Sequence, residues 1–96
     1  MNSKKEILAK LKELKPELYK EFSVKEIGLF GSFSDDTASV SSDIDILVEF
    51  DKPIGWKFLT LELYLGEIFG RKIDLVTKNA LKKQIKGRIL NQVDYA

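Results

Sequence analysis

Asp43 and Asp45 stand two residues apart in the run SDIDILVEF, and Asp74 stands in a second such run, RKIDLVT. On an extended strand, residues i and i+2 project from one face, roughly 6 to 7 Å apart. Two carboxylates that close raise each other's pKa unless a positive charge lies between them. The chain offers none locally: no Lys or Arg lies between Phe30 and Asp51, while Asp35, Asp36, Asp43, Asp45 and Glu49 all fall inside that stretch. A divalent cation is the simplest remedy, and Asp74 supplies a third carboxylate if the two strands are neighbours. With no histidine and no cysteine in the chain, the donors are oxygens. They suit a hard ion such as Mg²⁺, and three carboxylates suffice for one ion or a pair.

Gly31 and Ser32 follow the apolar run VKEIGLF. Glycine lets a backbone approach a ligand closely, and free N–H groups at the start of a helix attract anions. A phosphate cradle facing a metal site is the arrangement that phosphoryl-type transfer uses, where positioning and charge neutralisation do most of the catalysis. Neither GxxxxGK[ST] nor GxGxxG occurs, so this is neither a P-loop nor a Rossmann binder by motif. Taken singly, Gly-Ser reads as a turn, Asp-x-Asp as the wet side of a strand and Asp74 as a surface residue. Only the combination is informative.

At 96 residues the chain is one domain, 1–96, of ordinary globular composition: 44% hydrophobic and 32% charged. No apolar run reaches the roughly 18 residues that span a membrane, so a cytoplasmic protein without membrane contact is expected. The net charge of +1 conceals an asymmetry. Residues 1–70 carry nine Lys/Arg against 13 Asp/Glu, and residues 71–96 carry seven against two. An acidic centre beside a basic tail suits metal ions meeting a polyphosphate, although a basic helix face in solvent is the plainer explanation of the tail.

The elements follow from periodicity. Ser3 with Glu6 forms a capping box before Ile7, Leu11, Leu14 and Leu18, which predicts a helix over 3–21 that Pro16 breaks, kinks or restarts. Strands are expected at 24–30 and 43–50. In the second, Asp43, Asp45, Leu47 and Glu49 face one way and Ile44, Ile46, Val48 and Phe50 the other. Residues 56–69 predict a largely buried helix, with Phe58, Leu61, Leu65 and Ile68 on one stripe and Gly70 as its C-cap. A short strand carries Asp74. A last helix starts near Asn79, with Leu81, Ile85, Ile89 and Val93 as its seam. Phe30, Phe33, Phe50, Phe58 and Phe69 are expected in the core. Core packing is also the expected role of Trp56, although its place after a turn leaves it open to a partner or a base. Tyr95 is expected to fray. The order helix, strand, strand, helix, strand, helix predicts an α/β (α+β) domain: a short mixed sheet with helices packed on one face.

A strand ending in Gly-Ser, about ten residues, Ser-Asp-x-Asp on a strand, and a later strand with Asp resembles the nucleotidyltransferases of the DNA polymerase β superfamily. Small size and GRKIDLV bring it close to their minimal members, the MNT-type antitoxins. The resemblance runs from about Val24 to Val76 and implies a polymerase-β-like core. It implies that Gly31, Ser32 and Ser42 bind the triphosphate of an NTP, and that Asp43 and Asp45 hold Mg²⁺, two ions in all. Asp74 would complete a metal site and act as base towards an acceptor hydroxyl. AMP from ATP would be transferred. The implied partner is a HEPN-domain toxin, modified on a tyrosine or simply bound, and no direct contact with nucleic acid is implied. A chain this short leaves the acceptor side to that partner or to a second copy, so a homo-oligomer is also compatible.

The family often reads GSxARG where this chain reads GSFSDD, so Asp35 and Asp36 replace residues that tolerate phosphate. That departure supports a second reading, an antitoxin with a weakened site that neutralises its partner by occlusion. Arg71, Lys72 and the basic C-terminal region are the candidates to compensate. Transfer to a small molecule such as an aminoglycoside is a third reading, which the lack of a substrate domain disfavours.

Overall fold

The computed structural model describes residues 3–31, 43–80 and 83–96 and, for 83–86 and 88, the backbone alone. Helix α1 (Lys4–Phe22) opens as the capping box predicts: Glu6 N–H donates to Ser3 Oγ at 3.2 Å, and the Ser3 hydroxyl donates to the Glu6 carboxylate at 3.0 Å. Ile7, Leu11, Leu14 and Leu18 are its buried stripe. The expected break at Pro16 is absent. Proline deprives the carbonyl four residues back of its N–H partner. That carbonyl belongs to Lys12, which is exposed, as is Pro16 itself, so the lost bond falls on the solvent side and the helix runs on. It ends at Ser23, left-handed at φ 57°, whose N–H returns to the Tyr19 carbonyl at 2.9 Å.

Strand β1 (Val24–Phe30) pairs antiparallel with β2 (Ile44–Phe50). Helix α2 (Lys57–Phe69) then carries the chain over to β3 (Ile73–Thr77), which lies parallel to β2. A short 3-10 turn (Lys78–Ala80), helix α3 (Lys83–Gln92) and a two-residue strand β4 (Asp94–Tyr95) complete the order. The sheet reads β3-β2-β1-β4. It is mixed, as expected, because α2 supplies the crossover that a parallel neighbour requires.

One face of the sheet is apolar. Ile27, Leu29, Ile44, Ile46, Val48, Ile73 and Leu75 meet the inner stripes of α1 and α2 in a single core. At about 2–5 kcal/mol for each large side chain truncated, this layer supplies most of the stability. The core explains why β2 alternates: its even-numbered residues face the helices, and Asp45 and Glu49 face away.

Three expectations need correction. Helix α2 is not buried all round. Leu61, Leu65 and Phe69 are buried and Phe58 and Ile68 pack against the core, but Leu59 is 52% exposed, Leu63 70% and Trp56 86%. The helix covers only one side of an edge strand, so its outer side meets no other layer. Phe30 lies opposite Asp45 in the ladder, on the polar side of the sheet, because strand alternation carries it away from Leu29. Tyr95 does not fray. It pairs with Gly28, Ala96 N–H donates to the Ile27 carbonyl at 2.9 Å, and Lys15 Nζ donates to the Ala96 carbonyl at 2.9 Å. Gly28 permits this close docking, since a Cβ there would run into the Val93 side chain. The described part of the last helix runs Lys83–Gln92, and a 3-10 turn occupies Lys78–Ala80. Leu81 and the side chain of Ile85 lie outside the described residues, as does Phe33. Among the described residues no helix is long and apolar enough to cross a membrane.

Candidate active site

Parallel pairing places Asp45 directly beside Asp74, in a register that also pairs Ile44 with Ile73 and Ile46 with Leu75. Hydrophobic alternation enforces this register: a slip by one residue would turn Ile44, Ile46, Ile73 and Leu75 out of the core. The burial of the isoleucines therefore holds the two carboxylates side by side on the sheet face away from α1 and α2. They are close enough to share a hydrogen bond, and Asp43, at the mouth of β2, adds its charge from Coulombic range. Burial first, then Asp74 and Asp43, push the Asp45 carboxyl up to about 6 from its ordinary 3.8.

Gly31 closes the arrangement from β1. It follows Phe30, the ladder partner of Asp45, and has a φ of 72°. A side chain is disfavoured there twice: the left-handed conformation favours glycine, and a Cβ would occupy the space of the Asp45 carboxylate. Gly31, Asp43, Asp45 and Asp74 are thus brought to one end of that sheet face. Ser32 and Ser42, with Asp35 and Asp36, lie outside the described residues.

Among the described residues, Asp43, Asp45 and Asp74 make no ion pair, and no three carboxylates stand close enough to form a ready-made cage for an ion. An all-carboxylate donor set on one face, without histidine or thiolate, fits Mg²⁺.

Glu49 differs from what the local sequence suggests. Although no cation flanks it in the chain, Lys78 reaches it at 2.9 Å from beyond β3 and Lys25 at 3.5 Å from β1. The Lys78 contact in particular holds the Glu49 carboxyl below its usual range. Among the described residues the acids along β2 and at its start therefore divide by position, Glu49 ion-paired at one end and Asp43 and Asp45 without a cation at the other. A cleft of about 630 Å³ lies at the paired end, lined by Glu49, Asp51, Lys52, Thr77, Lys78 and Asn79, away from the acidic trio. Sequence reasoning also missed Phe30 as a wall of the site. Strand alternation from Leu29 was the signal that would have found it.

Residues 6–95 match the nucleotidyltransferase domain family, and the chain belongs to it. It is 45% identical to the protein adenylyltransferase MntA of Thermococcus cleftensis over 84% of its own length and 83% of the relative's. Its fold superposes on a solved structure assigned as a minimal nucleotidyltransferase with a TM-score of 0.77, at 24% identity, covering 93% of this chain and 92% of the other. It also superposes on the complex of a tri-AMPylated Shewanella oneidensis HEPN toxin with an MNT antitoxin, with a TM-score of 0.68, at 20% identity, covering 96% and 70%.

Proposed function

We propose that this nucleotidyltransferase moves AMP from ATP to a hydroxyl of a partner protein, a HEPN-domain toxin, and acts as that toxin's antitoxin. The observation that carries the reading is the in-register pairing of Asp45 with Asp74, with Gly31 shaped around the Asp45 carboxylate. The name of the Thermococcus relative and the contents of the Shewanella complex support the donor and the partner.

Asp43, Asp45 and Asp74 would hold Mg²⁺. When bound, the ion supplies charge neutralisation for the triphosphate and for the phosphoryl group in transfer. Gly31 gives the backbone close access to phosphate, and Ser32 and Ser42 add hydroxyl donors. Asp74 accepts the proton of the acceptor hydroxyl. The hydroxyl oxygen forms a bond to the α-phosphorus as the bond from that phosphorus to the bridging oxygen breaks, and pyrophosphate leaves. Arg71 and Lys72, which immediately precede β3, are the candidates to offset the charge of Asp35 and Asp36. Reversing either charge is expected to weaken ATP binding measured by calorimetry.

The test is transfer of label from α-labelled ATP to the co-purified partner, with Asp43→Asn and Asp45→Asn alongside. Loss of label in both variants, with ATP binding that depends on Mg²⁺ and disappears in EDTA, supports the reading. Undiminished neutralisation of the partner by Asp43→Asn sinks the catalytic version in favour of occlusion, which Asp35 and Asp36 favour from the sequence.

A further inference from the structure

Helix α2 carries apolar residues on two sides. The inner stripe is in the core. On the outer side Trp56, Leu59 and Leu63 recur at spacings of three and four, which forms one ridge about 10 Å long. Three large apolar side chains in a row, each more than half exposed, are costly to leave in water.

The ends of the same helix are electrostatically unmatched. Trp56 provides no side-chain cap, the first turn holds no acidic residue and the last turn holds no basic one. Glu67 sits near the C-terminus, where the helix dipole disfavours a carboxylate. Each defect is the complement of the other when α2 lies antiparallel to a copy of itself. With a two-fold axis between Leu59 and Leu63, Leu59 of one copy meets Leu63 of the other, twice. Glu67 is brought to the first turn of the neighbouring helix, beside Lys57 and at the positive end of that helix's dipole.

We infer that the outer face of α2 is a self-complementary surface that pairs two copies of this chain. The inference is independent of the catalytic reading. Because α2 covers the sheet face opposite Asp45 and Asp74, the dimer leaves both acidic sites open and pointing outward. One helix ridge per copy lies at the small end of specific interfaces, so the dimer is weak and exchanges.

Sedimentation velocity on the purified chain, from about 10 µM to about 1 mM, reads the association directly. The mass is expected to climb from monomer to dimer across that range, with the emission of Trp56, the only tryptophan, shifting to the blue. Leu63→Glu, a surface change that leaves the thermal midpoint in place, is expected to hold the chain monomeric throughout. Glu67→Lys is expected to weaken the dimer about tenfold, since two symmetric contacts change sign. A monomer at the highest concentration would overturn the inference and leave the ridge to a different protein. A dimer that persists unchanged in Leu63→Glu would overturn it equally, by placing the contact elsewhere.

Discussion

A single methyl group at position 31 would collide with the Asp45 carboxylate, so Gly31→Ala is expected to damage the site more than the fold. The left-handed backbone and the clash together cost about 1–3 kcal/mol. ATP affinity by calorimetry should fall by more than that loss of stability predicts. Asp45 itself gives the protein a pH dependence. Its folded-state pKa of about 6 lies above the ordinary 3.8, so the folded chain holds that proton more tightly than the unfolded one. The resulting stabilisation is full below about pH 4 and is lost as the pH rises through about 6. Solvent screens a half-exposed group, which leaves about 1 kcal/mol. Glu49 acts in the opposite sense: its depressed pKa favours folding above the ordinary carboxylate range, an advantage lost on acidification. Comparison with Asp45→Asn separates the two. In EDTA, the wild-type chain should lose thermal stability between about pH 5 and pH 7.5 relative to that variant. That Asp45 and Asp74 each lie on a strand was legible in the sequence, but the sequence makes their pairing conditional on the strands being neighbours, a condition that the parallel ladder of β2 and β3 supplies. The partners of Glu49 were not legible, because Lys25 approaches from β1 and Lys78 from the turn after β3, and no local spacing reports them.

At the scale of elements, amphipathic period predicted α1, β1 and β2 to within a residue or two. It misjudged what solvent would tolerate. Pro16 reads as a breaker, yet the helix passes through it because the carbonyl it abandons faces water. Restoring the N–H with Pro16→Ala should therefore stabilise the protein by about 1–2 kcal/mol, the helical gain being offset by a looser unfolded chain. Chemical denaturation would show the midpoint rise at constant slope. Helix α2 reads as buried because it is apolar over most of its circumference, but periodicity cannot say how many layers a fold will stack. Strand β4, only two residues long, carries no alternation to detect. Its evidence lay in Gly28, a gap in β1 that Val93 and Tyr95 fill.

The whole molecule divides into an apolar face that sets geometry and a second face that carries Asp45 and Glu49 on either side of a buried Leu47. A ligand that binds only the folded form raises stability by mass action. Millimolar Mg²⁺ should then raise the thermal midpoint at neutral pH in the wild-type chain and leave Asp45→Asn unmoved. An equal rise in both would place the ion elsewhere. The crossover through α2 has a further consequence, for the newborn chain. Asp45 and Asp74 are 29 residues apart in sequence, and only the parallel ladder joins them. Chains leave the ribosome at about 5–20 residues per second, and parallel pairing is among the slower steps of folding because a long loop must close first. For seconds, a nascent chain already carries the Asp-x-Asp strand and the glycine turn but not the third carboxylate. The acidic trio is thus completed at a late, single moment of biogenesis, and a chain truncated before β3 keeps Asp43 and Asp45 but lacks Asp74.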